Sequence, residues 1–224
     1  MRIKGAIFDM DGTLIDSLMY WDDLWQRIGA AFMNDPNFRP GEEVDKRVRT
    51  MIYDDAMLYF RDFYNIPVDV SRFLEFTKGG IPDFYRHVAC PKAGAIALLE
   101  HLKGLGIPMC LASATDMSEI RLALEYHHMA GYFDAVLSCA DIGVGKDRPD
   151  IYLMAKDALG LEPSEICVFE DSFVALETAK AVGFQTVGIY DRYNFEQARL
   201  QAASDLYVGE HGTLDELIAS IAVG

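Results

Sequence analysis

The stretch Ala6–Ser17, AIFDMDGTLIDS, runs from an apolar segment straight into Asp9 and Asp11, two residues apart and followed by Gly12 and Thr13. Ala6-Ile7-Phe8 reads as the end of a buried strand. Like charges this close repel, and a carboxylate leaving water needs a partner. Either the pair sits in a solvated turn, or something positive lies between the two carboxylates. The rest of the chain has to decide which.

Short apolar runs recur, each followed by a helical pattern: Ile3–Phe8, Met109–Ala112, Ala135–Ser138, Ile166–Phe169, Thr186–Ile189 and a weaker Leu206–Val208. Between them, GAIALLEHLKGLGI, SEIRLALEYHHM, DIYLMAKDALGL and VALETAKAVGF read as amphipathic helices, with Gly104, Gly106, Gly160 and Gly183 as C-terminal stops. Strands alternating with helices predict an α/β fold, a Rossmann-like parallel sheet.

The block 16–87 breaks this rhythm and holds no convincing strand. Leu18, Trp21, Trp25, Ile28 and Phe32 recur at three- and four-residue steps, so one helical face is apolar. NDPNFRPGE interrupts it, and helical patterns resume at Glu42–Tyr53, Ala56–Tyr64 and Ser71–Tyr85. The expected organisation is a core of 1–15 and 88–224 with an inserted helical unit over 16–87.

The 224 residues suffice for a substantial core, and 51% of them are hydrophobic. A net charge of −15 argues against nucleic acid and requires local positive charge around any anionic ligand. No apolar run approaches the roughly 20 residues of a membrane span, and MRIKGAIFD carries no signal-peptide pattern. Cys90, Cys110, Cys139 and Cys167 form no C-x-x-C, and the last three sit in apolar runs, as expected of buried thiols in a reducing cytoplasm. A monomer or weak homodimer is expected.

In a doubly wound sheet, ligands bind beyond the carboxyl ends of the strands. Asp9 and Asp11 follow the first apolar run, Ser113 ends the second, Lys146 lies in the loop after the third, and Glu170 and Asp171 end the fourth. Two acidic clusters, a hydroxyl and a lysine therefore converge on one end of the sheet.

This set resembles the haloacid dehalogenase-like superfamily of phosphotransferases over nearly the whole chain. The motif D-x-D-G-T stands as Asp9-Met10-Asp11-Gly12-Thr13, followed in order by Ser113, by Lys146 with Pro149, and by Glu170-Asp171. The helical insertion is similar to the cap of the β-phosphoglucomutase-like branch. The resemblance implies a Mg²⁺-dependent phosphatase acting on a small phosphorylated metabolite. Asp9 would be nucleophile and metal ligand, forming an aspartyl-phosphate. Asp171, Glu170 and the main-chain carbonyl of Asp11 would complete the ligand set. The Asp11 side chain would act as general acid and then general base. Ser113 would bind a phosphate oxygen, as would groups at Gly12, Thr13 and Ala114, and Lys146 would neutralise developing charge. Magnesium and phosphate together would offset the repulsion between the two aspartates.

Other loops do not fit. An EF-hand would need glycine at Leu14 and glutamate at Tyr20, and a Walker A loop would need glycine at Ala140 and Ser/Thr at Asp147. Ser113 lacks the surroundings of a nucleophile elbow, and His127-His128 has no metal-ligand spacing. Asp11 argues against dehalogenase activity, which goes with the loss of that acid. Lys46 and Lys78 stand in no Schiff-base motif. The sugar phosphomutases share all the motifs but place a histidine five residues beyond the aspartate at Asp16, where this chain has Trp21. Hydrolysis therefore leads, with a phosphomutase as the alternative and a non-catalytic phospho-ligand binding module behind it. Specificity is expected from Met19, Tyr20, Trp21 and Arg49. The aromatics suit an apolar or ring-shaped leaving group, and Arg49 suits a second anionic group.

Overall fold

The computed structural model describes residues 1–49 and 51–223. Six parallel strands form the central sheet: β1 (Gly5–Phe8), β2 (Met109–Ser113), β3 (Ala135–Ser138), β4 (Ile166–Glu170), β5 (Gln185–Ile189) and β6 (Leu206–Val208). Their spatial order is β3-β2-β1-β4-β5-β6. The α/β expectation holds, with the order reversing at β1. That reversal opens a crevice directly beyond Phe8, the strand that delivers Asp9.

Alternation along β1 sends Ala6 and Phe8 into one core layer and Ile7 into the other. Both faces are covered, so the central strands read as continuous apolar runs rather than alternating ones. Phe8 stacks on Phe169 of β4 with ring centroids 4.2 Å apart, pinning the two strands that carry the acidic clusters side by side. Cys110, Cys139 and Cys167 are buried and Cys90 is exposed, all as free thiols.

Between β1 and the helices of the sheet the described residues form five α-helices: α1 (Met19–Ile28), α2 (Glu42–Arg49), α3 (Tyr53–Phe63), α4 (Val70–Lys78) and α5 (Ile81–His87). Leu24, Trp25 and Ile28 of α1 are fully buried, and Trp25 stacks on Phe60 of α3 at 4.5 Å. The apolar stripe thus packs helix on helix. Two boundaries differ from expectation. The second helical pattern stops at Arg49, and Tyr53 opens α3 instead of closing α2. The stretch expected as one helix over Ser71–Tyr85 splits at Gly79-Gly80, where backbone freedom is greatest, and restarts with Pro82 in the first turn of α5, where its missing N–H costs nothing.

Ile15–Asp16 pairs antiparallel with Cys90–Pro91, so the chain leaves the sheet and returns to it at one place. Lys78 Nζ donates to Asp116 at 2.9 Å, and Arg49 Nη1 donates to the Tyr193 carbonyl at 3.0 Å. These bonds hold the helical segment against the loops beyond the sheet. The sheet's own helices are α6 (Ala95–Gly104), α7 (Met117–Tyr126), α8 (Cys139–Ile142), α9 (Asp150–Leu159), α10 (Phe173–Ala181) and α11 (Gln197–Ala203). Among the described residues, no helix is long and apolar enough to cross a membrane.

Candidate active site

Asp9 follows β1 and is almost fully buried, its N–H donating to the Phe169 carbonyl at 3.0 Å. Glu170 ends β4 and Asp171 follows it, both buried. One carboxylate oxygen from each of Asp9, Glu170 and Asp171 lies within 4.8 Å of the other two. Lys146 Nζ reaches into this cluster, donating to Asp9 Oδ1 and, at 2.9 Å, to Glu170 Oε2. The question posed by the two aspartates is thus answered in part by a lysine 137 residues away.

One ammonium does not balance three buried carboxylates. Burial, with the charge of Glu170, pushes Asp9 up to about 6, although Lys146 opposes the shift. Burial and then the charges of Glu170, Asp9 and Asp191 hold Asp171 well above the usual carboxylate range. Burial alone would lower Lys146, but Asp9 and Glu170 raise it well above its ordinary value, so it stays charged. An oxygen-only donor set carrying excess negative charge fits a hard divalent cation.

Each ligand candidate is held by a further bond. Thr13 Oγ1 donates to Asp171 Oδ1 at 3.0 Å, and Asn194 Nδ2 donates to Oδ2 at 2.7 Å and to the Asp171 carbonyl at 2.8 Å. Glu170 accepts from Tyr152 OH at 3.2 Å and from the Ser172 N–H at 3.2 Å. Gly12 has φ +85°, and a β-carbon there would collide with the Asp171 carboxylate. Glycine is required for both reasons.

A cavity of about 230 Å³ lies over this cluster, between the sheet and the helical segment. Asp9, Asp11, Ser113, Ala114, Lys146, Glu170 and Asp171 border it, and so do Tyr20, Trp21 and Arg49 from the helices. Two expected substrate contacts are placed differently. Neither Gly12 nor Thr13 borders the cavity: the Gly12 N–H is spent on the Ile15 carbonyl at 2.8 Å, and Thr13 is fully buried beneath Asp171. Arg49 does not offer a free cation. It forms a two-pronged pair with Asp45 at 2.8 and 3.0 Å, and its guanidinium lies 5.6 Å from the Trp21 ring centroid and 5.4 Å from that of Phe195. Among the described residues, every lysine or arginine bordering the cavity already holds a carboxylate, Lys46 through Glu42 at 2.7 Å. Met19 does not reach the cavity, and the Tyr20 hydroxyl is turned away to the Thr77 carbonyl at 2.7 Å.

Asp11 is half-buried and outside the three-carboxylate cluster. Burial, and then the charge of Asp9, raises its carboxyl. It accepts hydrogen bonds from Ser17, Tyr85 and Thr115. Of these, Tyr85 and Thr115 escape sequence reading, as do Tyr152 and Asn194. Thr115 stands two residues beyond Ser113, and Asn194 lies in the loop after β5, so inspecting that fifth strand end would have raised it. Tyr85 carries no local signal.

A family model for haloacid dehalogenase-like hydrolases matches residues 3–183. The chain belongs to this family. As a haloacid dehalogenase-like hydrolase it is an enzyme, and its fold is that of the β-phosphoglucomutase-like branch. The phosphorylated carbohydrates phosphatase of Thermotoga maritima is 24% identical over 90% of this chain and 92% of its own. Hexitol phosphatase A of Escherichia coli is 28% identical over 84% of both chains. The crystal structure of β-phosphoglucomutase from Clostridium difficile superposes with a TM-score of 0.75 at 18% identity, over 96% of this hydrolase and 93% of that chain.

Proposed function

We propose that this hydrolase is a Mg²⁺-dependent phosphatase that cleaves a small phosphorylated metabolite through an aspartyl-phosphate on Asp9. The observation that carries the reading is the convergence of Asp9, Glu170 and Asp171 within 4.8 Å, with Lys146 bonded between two of them. Asp9, Asp171 and the Asp11 carbonyl would hold the cation, with Glu170 as ligand or as a support for one. When bound, magnesium supplies the positive charge that lets two anions meet and polarises a phosphoryl oxygen.

The chain's own residues do the rest. Asp9 attacks phosphorus while the bond to the leaving oxygen breaks, and Asp11 gives that oxygen its proton. Water then attacks the phosphoryl group, Asp11 takes the water's proton, and Asp9 is released. Lys146 neutralises charge on the transferring group from its fixed place against Asp9. Ser113 Oγ accepts the Thr115 N–H at 3.1 Å, which leaves its own hydrogen to donate to a phosphate oxygen. The segment 16–87 acts as a cap that excludes water over the cavity. Trp21 borders the cavity where a mutase would need a proton-transferring histidine, which favours hydrolysis over transfer between sugar positions.

The test is phosphate release from a panel of phosphorylated metabolites with and without Mg²⁺, comparing the wild type with Asp9→Asn. Metal-dependent turnover that this change abolishes is expected. Rapid conversion of β-glucose 1-phosphate to the 6-phosphate with little free phosphate would overturn the hydrolase reading. Turnover that survives Asp9→Asn would overturn the covalent one.

A further inference from the structure

Three hydroxyls converge on the carboxylate of Asp11. Ser17 Oγ and Tyr85 OH both donate to Oδ1 at 2.7 Å, and Thr115 Oγ1 donates to Oδ2 at 2.7 Å. Their origins differ. Ser17 lies where the chain leaves the sheet, just before α1, and Tyr85 lies in α5, the last helix before the chain returns. Thr115 follows β2 on the sheet side. Both connections between the sheet and the helical segment therefore place a hydroxyl on the same oxygen.

The Tyr85 ring is buried, 5% exposed, and packs edge-on against Phe84. A phenylalanine would fill that space without a hydroxyl to desolvate, and a buried phenol without a partner is costly. The partner it has is Asp11. Two donors on Oδ1 reserve that oxygen as the acceptor. The proton of the acid form then belongs on Oδ2, where the Thr115 hydroxyl can turn from donor to acceptor.

We propose that Tyr85 is the positioning residue for proton transfer, holding Asp11 Oδ1 as an acceptor so that Oδ2 is the oxygen that gives and takes the proton. The inference rests on the reading of Asp11 as the acid of a phosphatase. In the first step the Asp9 oxygen bonds to phosphorus, the bond from phosphorus to the leaving oxygen breaks, and the proton on Asp11 Oδ2 moves to that oxygen. In the second, water oxygen bonds to phosphorus, the Asp9 bond breaks, and Oδ2 takes a proton from the water. Tyr85 gives no proton to the substrate. Its hydroxyl holds the acid in register with the leaving oxygen.

Proton donation matters for a leaving group that is unstable as an anion and hardly at all for one that is stable. Tyr85→Phe should therefore lower kcat/KM for an alkyl phosphate on the order of tenfold, part of the 10²–10⁴ typical of acid catalysis. For p-nitrophenyl phosphate it should change kcat/KM less than about threefold, because nitrophenolate leaves unprotonated. Calorimetric Mg²⁺ affinity and the melting temperature should stay near those of the wild type. An equal loss for both esters, no loss for either, or a fall in Mg²⁺ affinity in step with activity would overturn the proposal. A wild type that turns over neither ester, or an Asp9→Asn variant that keeps its turnover, would overturn the phosphatase reading and this inference with it. The two failures are thus distinguishable.

Discussion

Among the described residues no lysine or arginine pairs directly with Asp171, and Lys92, which lowers it, is paired with Asp191. Asp171 is surrounded by Glu170, Asp9 and Asp191, and its two oxygens are held by Thr13 and Asn194. Neutral donors of this kind orient a ligand without competing for the metal, and removing one typically costs 10–100-fold in metal affinity. Asn194→Ala should weaken Mg²⁺ binding within that range, measured by isothermal titration, while leaving the fold intact. Unchanged affinity would show that Thr13 alone suffices to hold Asp171. The charge balance at Asp9 sets a pH dependence. Its folded value near 6 lies above its ordinary 3.8, so in the metal-free protein the ionised group costs stability in full above about pH 6. That cost is withdrawn as pH falls from about 6 to about 4, because the folded state takes up the proton first. Metal-free Asp9→Asn should accordingly melt higher than the wild type at pH 8, and the gap should narrow below pH 6 and close near pH 4. A gap independent of pH would mean that Lys146 already balances Asp9.

At the scale of elements, the helical segment is held by aromatic packing that the sheet does not share. Trp25 of α1 is fully buried between the helices, stacked on Phe60 of α3, and its Nε1 donates to Asp45 of α2 at 3.2 Å. One side chain thus joins three helices. Trp25→Ala should cost about 3–5 kcal/mol, the usual range for emptying such a site. Chemical denaturation followed by circular dichroism measures it, and a loss below about 1 kcal/mol would show that α1, α2 and α3 collapse around the gap. Asp45 also holds Arg49, so the same variant should loosen the contact from Arg49 to Tyr193 and, through the next residue, Asn194.

For the whole molecule, net charge and site chemistry pull in opposite directions. A chain of net charge −15 is a poor host for a phosphate ester. The cavity meets this with Lys146 and a site suited to a divalent cation, while Lys46 and Arg49 stay committed to Glu42 and Asp45. Positive charge is therefore concentrated at the reacting end of the cavity. The rest of its wall offers aromatic and apolar surface from Trp21, Tyr53, Phe84 and Phe195.

The parallel sheet, the helical block and the residues at the strand ends were all legible in the amino-acid order. Each is a local pattern: apolar runs of strand length, helical spacing, and polar residues placed immediately after a strand. The order β3-β2-β1-β4 then brings Asp9, Ser113 and Asp171 together with no further information, since adjacent parallel strands end side by side. What the order of residues left open was which distant side chains meet. The burial of Thr13 against Asp171, the pairing of Arg49 with Asp45 and the bond from Tyr85 to Asp11 left no such local pattern, because a side chain's partner depends on how distant segments pack. Thr13 faces Asp171 across 158 residues and Tyr85 meets Asp11 across 74. Hydrogen bonds at such separations leave no periodicity to read; only the packed tertiary structure decides them.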